Sequence, residues 1–125
     1  MLNNKAFDGI WSSSPEKRYH NFLDTVTDRE EVWLSGNDDG CTTFDIDDRI
    51  HIMVWPRNEF CERLVSQISE NERPFSIEIH EFIEECEAMD DSYNFMVFPT
   101  EKDSYIVSKN QLIEDILDYL ERLEW

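Results

Sequence analysis

Residues 31–56, EVWLSGNDDGCTTFDIDDRIHIMVWP, limit the fold more than any other stretch: short runs of β-forming residues are separated by links too brief to hold a helix. EVWLS alternates, NDDG supplies a tight turn, CTTF returns, and DIDD leads into RIHIMVW before Pro56 stops the run. Strands joined by such short links run antiparallel. In the third, Ile50, Ile52 and Val54 point to one side and His51, Met53 and Trp55 to the other, which predicts cover on both faces.

Around this centre the apolar spacing becomes helical. An amphipathic segment over Asn4–Trp11 precedes SSSP, where Ser14 can cap a helix and Pro15 can occupy its first turn, since the absent N–H has no intrahelical partner there. Tyr19, Phe22, Leu23 and Val26 then share a face, and this helix is expected to end before Glu30. Phe60, Leu64 and Ile68, with Cys61 and Val65, mark a later stripe; Ile79, Phe82, Ile83 and Cys86 mark the next. NFMVFPT and YIVS, joined by EKDS, read as another hairpin. Ser108 and Gln111 have capping-box spacing ahead of Leu112, Ile113, Ile116, Leu117, Leu120 and Leu123, a broad apolar face. The predicted order is ααβββααββα. This is an α+β fold, one compact domain over residues 1–125, with a largely antiparallel sheet of about five strands flanked by helices.

Charge narrows the function. Lys and Arg number 11 against 29 Asp and Glu, a net −18, well beyond the magnitude of roughly 2–8 that suits a small soluble domain. Such a field repels phosphate backbones and anionic lipid and speeds encounter with a cationic protein, so neither nucleic acid nor a membrane is an expected partner. The aromatic content of 13% excludes a disordered acidic chain. The N-terminal MLNNKAFDGIW lacks the apolar run of a signal peptide, and no segment approaches membrane-spanning length. Cys41, Cys61 and Cys86 form an odd set without CxxC spacing. These features predict free, mostly buried thiols in a cytoplasmic protein.

The acidic candidates gather in three places. Over IEIHEFIEECEAMDD, an α-helix sets Ile79, Phe82, Ile83 and Cys86 on one arc and Glu78, Glu81, Glu84, Glu85 and Glu87 on the other, with Asp90 and Asp91 in a following loop. Asp38 and Asp39 lie in the first turn, and Asp45, Asp47 and Asp48 in and around the second. These twelve carboxylates are the candidate partner-binding residues. The competing reading is a solvated face, or a general acidity such as halophilic adaptation brings.

Other chemistry finds less support. Placing Gly40 at the sixth position of a calcium-binding EF-hand loop puts Ile46 where the twelfth requires a bidentate glutamate. His20, His51 and His80 are scattered relative to the cysteines, without zinc-ligand spacing, and His80 does not share a helical face with Cys86. Nothing selects an acid and base pair among the many carboxylates. No catalytic residue, metal or cofactor is expected. Trp33 and Trp55 are expected in the core, while Trp125 is open to an anchoring role.

Several landmarks occur in order: RYHNFLDTV and DREEVW, VWP before an aromatic and a cysteine, and VFPT leading to VSKNQLIEDI. Over roughly residues 14–120 the chain resembles a family of small bacterial proteins known only as a domain of unknown function. The resemblance implies a compact α+β domain in the bacterial cytosol and brings no active site. Two departures fall in the acidic regions: Cys41 stands where that family tends to have an aromatic, and CEAMDDSYN replaces a segment that commonly holds Trp, Pro and Gly. Size, acidity and the missing catalytic motif lead to the expectation of an immunity protein (antitoxin) that neutralises a basic, nuclease-type toxin domain. The alternatives are a cytosolic protein-interaction adaptor and a small enzyme using carboxylates in a pocket.

Overall fold

The computed structural model describes residues 4–123. Its elements follow in the order α1 (Asn4–Trp11), α2 (Pro15–Arg29), β1 (Glu31–Asn37), β2 (Gly40–Cys41), β3 (Thr43–Ile46), β4 (Arg49–Val54), α3 (Asn58–Ile68), β5 (Arg73–Glu78), α4 (Ile79–Ala88), β6 (Asn94–Val97), β7 (Tyr105–Ser108) and α5 (Lys109–Leu123). The class is α+β, with two sheets in place of the single one expected. The first is antiparallel in the order β2-β1-β5; the second runs β3-β4-β6-β7, with β4 and β6 parallel and the other pairs antiparallel.

Local chemistry explains the split. The return strand bends at Thr42, so β2 pairs with β1 before the corner and β3 pairs with β4 after it. At the corner the Thr42 N–H donates to the Ser35 carbonyl at 2.8 Å, and its hydroxyl accepts from Ser35 and donates to the Glu72 carboxylate. A Cβ at Gly36 would run into the Gly40 carbonyl oxygen, so the approach of the two strands requires glycine there. β5, absent from the predicted order, pairs with β1 along six residues despite Pro74. Proline is tolerated because β5 is an edge strand.

The helix signals hold closely. Ser14 accepts from the Lys17 N–H, and Glu30 closes α2 in the left-handed conformation. Ser108 caps α5 by accepting from the Gln111 N–H at 3.2 Å, whereas the Gln111 amide donates to Asp115 instead of completing the reciprocal box. Two expected core positions, Ile68 and Leu117, are exposed. Trp55 is fully buried, Trp33 packs partly buried against the core, and Trp125 lies outside the described residues. Among the described residues no helix is long and apolar enough to cross a membrane.

Among the described residues the sheets are joined by one antiparallel bridge, in which Trp33 N–H donates to Trp55 O at 3.0 Å and Trp55 N–H to Trp33 O at 2.8 Å. Around it the Trp55 indole donates to Pro99 O at 3.0 Å, and the Phe98 N–H donates to Val54 O at 2.7 Å. Phe98 has φ 51°, a left-handed backbone that a bulky residue rarely adopts. Arg18, only 2% exposed, holds it there: its Nε donates to Phe98 O at 3.0 Å, and its remaining donors reach the Ser13 carbonyl, the Asp103 carbonyl and the Asp103 carboxylate. EEVW, VWP, VFPT and the start of RYHNFL therefore meet in one structural knot.

Only a planar guanidinium fork can serve these acceptors together. Arg18→Lys is expected to lower the unfolding free energy by about 2–3 kcal/mol, chiefly because backbone carbonyls lose buried donors. Arg122→Lys, at an exposed pair with Asp118, should change it by less than about 0.5 kcal/mol. Urea denaturation of the two variants checks this; equal effects would contradict the anchoring role.

Candidate partner-binding surface

α4 begins where β5 ends. The Glu78 carboxylate caps it, accepting from the His80 N–H at 3.0 Å and the Glu81 N–H at 3.3 Å, with the His80 ring at 2.7 Å. The donation from the His80 backbone, then from its ring, holds the Glu78 carboxyl below its usual range. At the far end the nearly buried Lys109 ammonium donates to Met89 O at 2.7 Å and to Asp91 at 2.8 Å, placing a cation by the negative end of the helix dipole. That contact depresses the Asp91 carboxyl, and donation from Ser92 does the same for Asp90.

Between these caps the predicted division is present, except that Ile77 and Glu78, expected within the helix, end β5, and Glu78 caps α4 instead of standing on its exposed arc. Ile79, Phe82, Ile83 and Cys86 are buried, while Glu81, Glu84, Glu85 and Glu87 are exposed. These four glutamates enter no ion pair among the described residues. Like charges three or four apart oppose a helix by only about 0.2–0.5 kcal/mol per pair. Burying each large apolar side chain contributes roughly 1.5–3 kcal/mol, so packing outweighs the repulsion and fixes the ridge in place.

The twelve candidate carboxylates do not form one continuous group. Glu81, Glu84, Glu85 and Glu87 form the free ridge; Glu78, Asp90 and Asp91 are engaged in the bonds just described. Asp47 and Asp48 have φ 52° and 65°, which fits the paired left-handed residues of a tight hairpin turn and gives them a conformational role. Asp45 is exposed on β3 and pairs in register with Ile50. Asp38 and Asp39 are exposed at the β1–β2 turn, and Asp38 lines a groove with Glu70 and Arg73. A neighbouring groove of about 740 Å³ between α3 and β5 adds Glu62 and Glu72 to Glu70. Those three were not among the candidates, because the loop that carries Glu70 and Glu72 gains its meaning only once β5 is recognised.

Beside the ridge the two sheets splay apart and leave an apolar cleft of about 510 Å³. Leu34, Phe75 and Ile77 line it from the first sheet, Ile52 and Phe95 from the second, and α4 closes one side with Phe82 and Cys86. Glu85 stands in its wall together with Cys41. Cys41 is the exposed thiol; Cys61 and Cys86 are buried, and burial pushes each of them up to about 12. Partial burial and then the nearby Glu85 charge raise the Cys41 thiol as well, so it is accessible but not activated.

A small single-domain α+β protein with an acid-fronted apolar cleft is thus defined by its geometry. The chain belongs to the family described as protein of unknown function (DUF2750), whose model matches residues 19–116. No curated protein matches it.

Because only the thiolate attacks, maleimide should label Cys41 first, more slowly at pH 8 than an unperturbed thiol, with the rate climbing further into the alkaline range. Glu85→Gln removes a charge that opposes the thiolate and should quicken labelling. Intact-mass kinetics read this; prior labelling of Cys61 or Cys86 would contradict the assignment.

Proposed function

We propose that this chain is an immunity protein: it binds a basic, nuclease-type toxin domain in the bacterial cytoplasm and blocks it by occupancy. The observation that supports the reading is the α4 ridge, where Glu81, Glu84, Glu85 and Glu87 face solvent without a compensating cation among the described residues. A nuclease needs positive potential to hold phosphates, and a fixed row of carboxylates competes for that potential without chemistry of its own. Charge of this density accelerates encounter, and the effect fades as salt shortens the screening length to about 8 Å near physiological ionic strength. The adjoining apolar surface then lengthens the life of the complex.

The partner is sought in the reading frame immediately upstream, as a larger protein with a basic C-terminal domain. Expression of that domain alone should arrest growth, and co-expression with this chain should restore it. Replacing Glu81, Glu84 and Glu85 together by lysine should abolish rescue while the circular dichroism spectrum is preserved. Full rescue by the folded charge-reversed chain would contradict the reading.

A further inference from the structure

We propose that the cleft between the two sheets is a socket for a single apolar side chain, aromatic or long aliphatic, carried on a polypeptide segment whose neighbouring residues are Lys or Arg. This deepens the reading of α4 as the face toward a basic partner and rests on it. At about 510 Å³ the cleft has room for an aromatic or long aliphatic side chain together with part of the backbone that carries it. Its walls come from strands of both sheets and from α4, so its shape is set by tertiary packing and is present before anything binds. Phe75, on edge strand β5, remains 37% exposed at this wall and gains cover when the socket fills.

Charge selects among apolar occupants. Glu85 is the one ionised group in the wall among the described residues, and Glu81 and Glu84 lie within one helical turn of it. A fatty acid or an acidic peptide would bring like charge to this mouth. An apolar anchor flanked by cations instead buries its body and sets its charges against the ridge. This arrangement joins a desolvated centre to a charged rim, the layout of an energetically dominant contact in a protein interface.

Cys41 makes the proposal testable with the full chain. The probes are a fluorescent lysine-rich peptide with one central phenylalanine, the same peptide with alanine there, and a glutamate-rich peptide with the phenylalanine. Anisotropy should show the lysine–phenylalanine peptide binding roughly tenfold more tightly than its alanine counterpart, as burial of an aromatic side chain implies. It should also slow maleimide labelling of Cys41, which the alanine peptide should leave unchanged. Pre-labelling Cys41 with N-ethylmaleimide, confirmed by a single mass addition and an unchanged circular dichroism spectrum, should erase the preference for phenylalanine. Equal binding of the two lysine peptides with unprotected Cys41 overturns the socket and leaves the acidic ridge standing. Equal binding of the glutamate-rich peptide overturns the cationic requirement, and failure of both lysine peptides to bind overturns socket and ridge together.

Discussion

The backbone bridge between Trp33 and Trp55, clamped by Arg18 through Phe98, is the contact on which the other features depend. Among the described residues, two hydrogen bonds make the bridge between sheets that otherwise have separate ladders, joining Trp33 of β1 to the residue that follows β4. Beside it the Trp55 indole donates to Pro99 O and the buried Arg18 guanidinium to Phe98 O, so the left-handed turn has both carbonyls satisfied. An unmade bond there would leave buried carbonyls without donors, a cost of about 1–3 kcal/mol each. The cleft is built from strands of the two sheets so joined, with α4 forming one wall.

The same division organises the charge. Two of the 11 cations, Arg18 and Lys109, are almost wholly buried and serve the backbone: one holds the knot and the other closes the C-terminal end of α4. Each also answers one exposed carboxylate, Asp103 for Arg18 and Asp91 for Lys109, and neither reaches the glutamates of the α4 ridge. Where a carboxylate caps a helix or pairs with Lys109, its charge is locally answered. On the exposed arc of α4 it is not, and the apolar opposite face keeps those charges in a fixed row.

Local signals in the chain were readable to the extent that their physics is local. Ser14 with Pro15, the stop at Glu30, and the two faces of α4 each depend on residues within a turn or two, and all appear as the pattern implies. β5 is not legible locally because RPFSIE places a proline inside a short run, and only the edge position beside β1 makes that acceptable. The corner at Thr42 and the parallel pairing of β4 with β6 depend on partners far along the chain. So does the cleft, whose walls are drawn from both sheets and a helix; Glu85 was legible as an exposed acid, but not as part of an apolar wall with Cys41.

The face that builds the fold is therefore distinct from the face proposed to receive a partner. Amide chemical-shift mapping of the isotope-labelled chain during titration with the proposed basic toxin domain tests that separation most directly. Perturbations are expected on α4 from Glu81 to Glu87 and on the walls at Leu34, Cys41, Ile77 and Tyr93, with the amides of Trp55 and Phe98 unchanged. Shifts centred on the knot around Arg18, with a silent α4, would contradict it.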